Sequence, residues 1–258
     1  MTLMCDKQIT KLCELPKAVI VREIAVSQRV GDSEETQVVM VKTNTFTNLS
    51  YSEVVDLQQT KDGENIIDYR DLTMDEIIGL KPMIYPFVDH QVTTKIISDT
   101  EEAKVISSGV SSYGYDITLA PEFKVFTNIN STVIDPKNFD RGAYKDIRAD
   151  ICVIPPNSFV LARSREYFNM PNVVTGLVIV KSTYARCGIF CFSTVIEAGW
   201  SGNITLEFAN TTSLPALLYA NEGAAQVLFS RGDVAPAVTY ADRKGKYQGQ
   251  KGIQLPIV

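Results

Sequence analysis

The stretch Asn203-Ile204-Thr205-Leu206-Glu207-Phe208-Ala209 indicates the fold class of this chain. Its large apolar side chains occupy every second position, as expected of a β-strand with one buried face. Similar runs rich in Val, Ile, Phe and Thr occur at 18–24, 37–42, 123–129, 158–163, 175–181 and 225–230. By itself Glu207 is typical of a solvent-facing strand residue, although carboxylates are depleted from strands.

Turn-forming clusters separate these runs, for example at 135–138 and 154–157. Helical periodicity is rare. Residues 6–13 predict a short helix capped by Asp6, and residues 73–76 have the spacing of a capping box, which predicts a helical turn or two up to residue 80. Many short strands with few short helices predict an all-β fold, a β-barrel or a jelly-roll-like sandwich.

Bulk properties restrict the function classes. Hydrophobic residues make up 45% of the 258 residues, which is ordinary for a globular protein. The five cysteines are odd in number and scattered, so we expect reduced thiols. No apolar run is long enough for a membrane helix, and residues 1–14 do not resemble a signal peptide. These features predict a cytoplasmic protein with no membrane partner.

The charge distribution favours a small anionic ligand. The net charge is −5, but from residue 181 onward seven Lys and Arg residues outnumber five Asp and Glu residues. A weakly basic C-terminal third on an acidic body suits a small anion. It offers no broad basic stripe for a nucleic acid.

Several catalytic arrangements lack their residues. His90 is the sole histidine, so no Ser-His-Asp or Cys-His arrangement can be built with a histidine elsewhere in the chain. Zinc deaminases need His-x-Glu followed by Pro-Cys-x-x-Cys, whereas Cys187 and Cys191 are separated by three residues and follow no proline. We therefore expect no zinc and no protein metal site. Walker and Gly-x-Gly-x-x-Gly loops are also missing.

Three segments carry polar chemistry. Lys181-Ser182-Thr183-Tyr184-Ala185-Arg186 follows an apolar strand and precedes Gly188, a pattern suited to holding phosphate oxygens. Ile196-Glu197-Ala198-Gly199-Trp200-Ser201-Gly202 is typical of a tight turn. The polar, glycine-rich residues 240–252 are by themselves typical of a disordered terminus, but glycines also suit a lid.

Together with Thr205-Leu206-Glu207-Phe208, these segments resemble the dCTP deaminases, zinc-independent members of the dUTPase-like superfamily. The resemblance implies a distorted β-barrel that forms homotrimers with shared active sites. It implies hydrolysis of dCTP to dUTP and ammonia, feeding dUMP and dTTP synthesis, with Mg²⁺ accompanying the triphosphate. The expected ligands are dCTP and dUTP, with dTTP as a candidate inhibitor. The expected location is the cytoplasm, or the host cytoplasm if the chain is virally encoded.

The resemblance also implies roles for individual residues. Glu207 would be the general base, and Ser182 and Arg186 would orient the attacking water. Glu197 would accept a hydrogen bond from the deoxyribose 3′-hydroxyl, beside an aromatic residue that fills the 2′ position. The expected substrate-binding residues are Lys181, Thr183, Tyr184, Ala185, Glu197, Trp200, Thr205, Leu206, Gln226, Tyr240, Lys246 and Gln250.

The resemblance covers residues 4–13 and about 82–258, and residues 14–80 interrupt it. Within the interruption, the strand-like runs 18–30 and 37–45, joined by the polar turn 31–35, predict a hairpin. We interpret residues 1–258 as a single deaminase domain with an inserted subregion at about 14–80, by default a stabilising outer layer. Two alternatives stay open. One is a bifunctional deaminase and dUTPase that forms dUMP and pyrophosphate. The other is a trimeric nucleotide-sensing or partner-binding protein that signals through the insertion.

Overall fold

The computed structural model divides the chain into two compact units. One contains Met1–Cys13 and Pro82–Val258, and the other contains Glu14–Lys81. The structure describes residues 2–14, 81–98, 101–127, 129, 132–192 and 194–258, together with the backbone of 18–29, 36–47 and 64–68. The helix predicted at 73–80 and the turn at 31–35 lie outside these residues.

The described secondary structure is mainly β. The strands are β1 Thr2–Leu3, β2 Ala18–Arg29, β3 Thr36–Thr47, β4 Glu64–Asp68, β5 Ile84–Tyr85, β6 Val92–Ser98, β7 Glu101–Ser111, β8 Gly114–Phe126, β9 Tyr144–Arg148, β10 Ile151–Ile154, β11 Ser158–Asn169, β12 Val174–Val180, β13 Ile189–Cys191, β14 Thr194–Ile196, β15 Ser201–Asn210, β16 Ala216–Tyr219 and β17 Gly223–Arg231. The helices are α1 Asp6–Cys13 and the single turn α2 Ser182–Ala185, with a 3-10 turn at Arg141–Ala143. The mainly-β prediction is confirmed.

The predicted first helix is also confirmed. α1 begins at Asp6, whose carboxylate accepts a hydrogen bond from the Lys7 amide at 2.8 Å. Ile9 and Cys13 are its buried residues, so the helix packs one apolar side onto the sheet.

The unit Glu14–Lys81 contains the hairpin predicted from its sequence. β2 and β3 pair antiparallel over their full lengths, from Ala18 opposite Thr47 to Arg29 opposite Thr36. β4 pairs with the other edge of β2, giving the order β3-β2-β4.

The larger unit is a curled antiparallel sheet with the central order β13-β15-β11-β8-β17-β12-β14. β8 connects its two halves, because its first residues pair with β7 and β17 while its later residues pair with β11 and β9. Large apolar side chains form its core, among them Phe123, Phe168, Phe208 and Phe229, each at most 1% exposed. Their burial is the main source of stability in such a sheet.

The strand predicted at 123–129 has different bounds in the structure. The expected strand at 123–129 is the end of β8, which begins at Gly114 and stops at Phe126. The sequence pattern did not predict the first half of this strand, because residues 114–116 are glycine and polar residues. Beyond its end, Ile129 is 82% exposed.

All five cysteines are free thiols. Burial raises the pKa of Cys13 to about 12, of Cys152 to about 11 and of Cys191 to about 12. Cys187, by contrast, is exposed. Neither described helix has the length and apolar character that a membrane span requires.

Candidate active site

A cavity of about 540 Å³ opens beside β15 in the larger unit. Its walls come from β9, β11, β14, β15 and the C-terminal segment, which we define as residues 240–258. Seven residues singled out from the sequence line it: Glu197, Trp200, Thr205, Glu207, Tyr240, Lys246 and Gln250. The fold therefore brings the carboxylate strand, the tight turn and the polar terminus to one place.

The alternation of β15 places Glu207 in this cavity. Leu206 and Phe208 are completely buried on the other side of the strand. Leu206, expected to bind substrate, consequently does not line the cavity with its side chain. Opposite Glu207 in the ladder lies Leu161 of β11, which is 5% exposed and gives the carboxylate an apolar neighbour.

The surroundings of Glu207 favour its neutral form. Burial raises the pKa of its carboxyl group to about 7, because a charged carboxylate loses hydration there. Its charge in turn contributes to raising the pKa of Tyr144, which reaches about 12 mainly through burial. A carboxyl group that titrates near neutrality is suited to accept and return a proton.

Aromatic residues that the sequence analysis did not single out form one wall. Tyr144, Phe159 and Phe192 line the cavity. The Tyr144 and Phe159 rings meet edge to face, with centroids 5.9 Å apart. The sequence offers no local motif for them, because β9 and β11 are distant along the chain from β15. They restrict water and provide a flat apolar surface for a planar ring.

The turn between β14 and β15 presents Glu197 to the cavity. The Trp200 amide donates to the Glu197 carbonyl at 3.1 Å, which closes the turn. Gly199 has φ of 78°, and a Cβ there would approach Thr239 to 2.8 Å, so glycine is required. The Glu197 carboxylate pairs with Arg243, a residue that the sequence analysis missed.

The C-terminal segment is packed onto the cavity. Trp200 Nε1 donates to the Tyr247 carbonyl at 2.9 Å, and the Arg243 guanidinium lies 5.1 Å from the Tyr240 ring centroid. The Asn203 amide donates to the Gln250 carbonyl at 2.9 Å. Lys246 donates to the Ile257 carbonyl. These contacts hold the C-terminal segment, called the lid below, against the cavity, whereas composition by itself suggested a disordered terminus.

The segment 181–186 lies outside the cavity. It follows β12 and forms the turn α2, and none of its residues lines the cavity. Ser182, Thr183, Ala185 and Arg186 are exposed. Tyr184 is buried, and its hydroxyl accepts a hydrogen bond from the Tyr219 amide at 3.1 Å.

Lys181 and Gln226 belong to a second polar group on the same side as α2. Lys181 Nζ lies 2.5 Å from Asp116 Oδ2, and Gln226 Nε2 donates to Ser111 Oγ at 3.1 Å. Asp116 and Gln226 face each other in the β8–β17 ladder. The single chain thus separates the predicted site residues into a cavity group and a group around α2.

The described residues offer no cluster typical of a protein metal site. Nowhere among them do three His, Cys, Asp or Glu side chains converge as metal ligands would. Residues that could hold an anion are Lys246 at the lid and Arg186 near α2, whereas Arg243 and Lys181 are already paired with Glu197 and Asp116.

The chain is similar to known proteins across this region. Residues 87–232 match a family model described as dCTP deaminase-like. The chain is 58% identical over 174 residues to a dCTP deaminase of Pseudomonas putida strain GB-1, and equally to one of Pseudomonas aeruginosa strain UCBPP-PA14. Each alignment covers 67% of this chain and 90% of the relative.

A solved structure of 2′-deoxycytidine 5′-triphosphate deaminase from Agrobacterium tumefaciens is 16% identical, with a TM-score of 0.40. That likeness covers 54% of this chain, and the chain spans 44% of the length of that structure.

Proposed function

Because the chain belongs to the dCTP deaminase-like family, we propose that it hydrolyses the 4-amino group of dCTP, releasing dUTP and ammonia. The 58% identity to dCTP deaminases over 174 residues supports the substrate. The observation that carries the chemistry is the position of Glu207, in an aromatic cavity where burial raises its carboxyl pKa to about 7.

Glu207 is the proposed general base. It takes a proton from water while the water oxygen attacks C4 of the cytosine, and it passes that proton to N3. The tetrahedral intermediate then gives its hydroxyl proton to the amino group through the same carboxylate. Ammonia leaves, C4 becomes a carbonyl, and Glu207 ends in its starting state. A carboxyl pKa near 7 suits both directions of this transfer.

The cavity turn and lid would bind the rest of the nucleotide. Glu197 would accept a hydrogen bond from the deoxyribose 3′-hydroxyl, and Trp200 would leave no space for a ribose 2′-hydroxyl. Three residues of the lid line the cavity together with Glu207 and would contact the substrate there: Tyr240, Lys246 and Gln250. Mg²⁺ would accompany the triphosphate as its charge partner and would take no part at C4.

We further propose that the site is completed between subunits of a homotrimer. Ser182 and Arg186 are exposed and lie outside the cavity of their own chain. A neighbouring chain would supply them to fix the water, an orientation effect that contributes several kcal/mol in favourable cases. Thr183, Ala185 and Gln226 would approach the nucleotide with them. Lys181 and Tyr184, which are engaged with Asp116 and Tyr219, would hold α2 in place.

Residues Glu14–Lys81 are proposed to be an insertion into a single deaminase domain. The residues of the larger unit that flank it lie next to each other, since the Met83 amide donates to the Leu12 carbonyl at 2.8 Å. A chain in which a short linker replaces residues 15–80 should therefore fold and turn over dCTP. Loss of both properties would instead assign the insertion a structural role in the core.

The deciding experiment is product analysis by chromatography after incubation of the protein with dCTP and Mg²⁺. We expect dUTP and ammonia in equal amounts. Formation of dUMP and pyrophosphate would establish the bifunctional alternative, and binding without turnover would favour a nucleotide sensor. Glu207→Gln is the matched control, because the amide keeps the shape of the side chain and cannot act as a base.

A further inference from the structure

The ladder between β11 and β15 is interrupted next to the cavity. Arg163 pairs with Thr205 and Tyr167 pairs with Asn203, so three residues of β11 oppose Ile204 alone. This bulge lies between the strand that carries Glu207 and β8. Its residues Ser164 and Glu166 are 0% and 3% exposed, whereas Arg165 is exposed. The carbonyl groups of the bulge therefore need partners other than the regular ladder.

The side chain of Asn203 supplies those partners. Its Nδ2 atom lies 3.2 Å from the Ser164 carbonyl, 3.5 Å from the Arg165 carbonyl and 3.0 Å from the Glu166 carbonyl. Asn203 is 8% exposed. Since buried unpaired carbonyls are costly, this amide fixes the distance between β15 and the bulge.

Ser164 strengthens the same junction. Its hydroxyl donates to the Glu166 carbonyl at 2.7 Å and accepts from the Ile204 amide at 2.8 Å. The Glu166 carboxylate points the other way and accepts from the Thr118 hydroxyl at 2.8 Å. The bulge is thus held on both sides, and the position of the Asn203 backbone is determined by buried contacts.

The Asn203 backbone is also where the lid docks. Its amide donates to the Gln250 carbonyl at 2.9 Å, and its carbonyl accepts from Gln250 Nε2. Beside it, the Gly249 amide donates to the Ser201 carbonyl at 2.8 Å. The lid therefore adds a short parallel pairing to the free edge of β15 at this point.

We infer that Asn203 is a positioning residue for lid closure: its buried side chain sets the strand edge that receives Gln250. The importance of this closure for turnover rests on the proposed function. The docking itself is a property of the chain alone. The loss of one such set of hydrogen bonds is enough to change a local opening equilibrium about tenfold.

The far end of β15 offers a matched control. Asn210 is 1% exposed, and its Nδ2 atom donates to the carbonyls of Ile154 at 3.2 Å, Pro155 at 3.2 Å and Leu214 at 2.7 Å. It makes the same kind of contacts as Asn203, but its partners lie away from the lid. Its removal should cost global stability without affecting the lid.

The experiment is limited trypsin digestion of the full chain and of Asn203→Ala and Asn210→Ala, with cleavage after Lys246 and Lys251 followed by mass spectrometry. We expect cleavage of the lid to accelerate about tenfold in Asn203→Ala and to stay within about twofold of the parent in Asn210→Ala. The KM for dCTP should rise about tenfold in the first variant only.

Two results would overturn the inference: unchanged lid cleavage in Asn203→Ala, or equal acceleration in both variants. If Asn203→Ala does not fold, Asn203→Ser replaces it, because a hydroxyl still donates to one carbonyl, and its lid cleavage should lie between those of the parent and the tenfold value. Product analysis of the parent protein decides the proposed function separately, since the digestion needs no turnover.

Discussion

Lys181 Nζ lies 2.5 Å from Asp116 Oδ2, and the two side chains are 13% and 6% exposed. The cation that opens the segment 181–186 is therefore neutralised within its own chain by a carboxylate on β8. It anchors the start of α2, where Ser182 and Arg186 project outward. The pair links residues 65 positions apart in the sequence.

Removal of one member of this pair should be costly. In Asp116→Asn the Lys181 ammonium stays enclosed without a counter-charge, so we expect the free energy of unfolding to fall by about 3 kcal/mol. The control is Asp146→Asn, which breaks the more exposed pair of Lys124 and Asp146 and should change stability by less than about 1 kcal/mol. Urea denaturation measures both, and equal losses would contradict this role of the Asp116 pair.

Turnover should follow the ionisation of Glu207. Because burial raises the pKa of its carboxyl group to about 7, the base form is lost as the pH falls through that value. The rate should therefore drop about tenfold per pH unit on the acid side and level off on the alkaline side. Initial rates of ammonia release across this range check it. A profile that is flat down to the ordinary carboxyl pKa near 4.5 would argue against Glu207 as the base.

Loss of the carboxylate gives a second, independent expectation. Glu207→Gln should lower turnover by about a thousandfold while dCTP still binds, because the amide fills the same space but accepts no proton. Calorimetry with dCTP measures binding, and product analysis measures turnover. Retained turnover would remove Glu207 from the proposed role.

Glu166 should make stability depend on pH. Its carboxyl pKa is raised to about 7 by burial, although the Thr118 hydrogen bonds and the charge of Arg165 act in the opposite direction. Between its ordinary pKa of 4.5 and about 7 the unfolded chain releases this proton and the folded chain keeps it. The contribution of Glu166 to the free energy of unfolding should thus be greatest below 4.5 and decrease by up to roughly 3 kcal/mol as the pH rises through 7.

The measurement is urea denaturation of the parent protein and of Glu166→Gln at about pH 5 and about pH 8. The variant has no proton to release at this position, so the difference between the two pH values should be smaller. Glu207 contributes in the same sense, and Glu207→Gln separates its share. If Glu166→Gln keeps the full pH dependence, the assignment to Glu166 is wrong.

A site shared between chains predicts complementation. Glu207→Gln and Arg186→Ala should each be nearly inactive, but mixed trimers would contain sites with both original residues. With random assembly of equal amounts, about a quarter of the sites should be intact. Activity after joint refolding measures this fraction. No recovery, in a mixture shown to contain mixed trimers, would place the complete site in one chain.

Strand alternation is local, so the shared buried face of Leu206 and Phe208 could be predicted from a period of two residues. The cavity beside Glu207 could not, because alternation by itself indicates a solvent-facing carboxylate there, and only the resemblance implied a site. Helix α1 and the hairpin β2–β3 were likewise predicted from local signals. The assignment of Glu207 as the base stays a prediction.

Residues that act through distant partners were missed. Asp116 looks like an ordinary strand carboxylate until the fold brings Lys181 to it. Arg243 is close in sequence to other cations, and only the packing of the lid shows that it is the one that pairs with Glu197. The three carbonyl contacts of Asn203 depend on a bulge in another strand. No spacing along the chain contains this information.

The uneven exposure of the thiols makes the protein suitable for site-selective labelling. Cys13, Cys152 and Cys191 are buried, with pKa values raised to between about 11 and 12, so they resist alkylation near neutral pH. Cys187 is exposed and directly follows Arg186. A maleimide fluorophore should react there first and would report, by its change in emission, when a nucleotide or a neighbouring chain reaches α2.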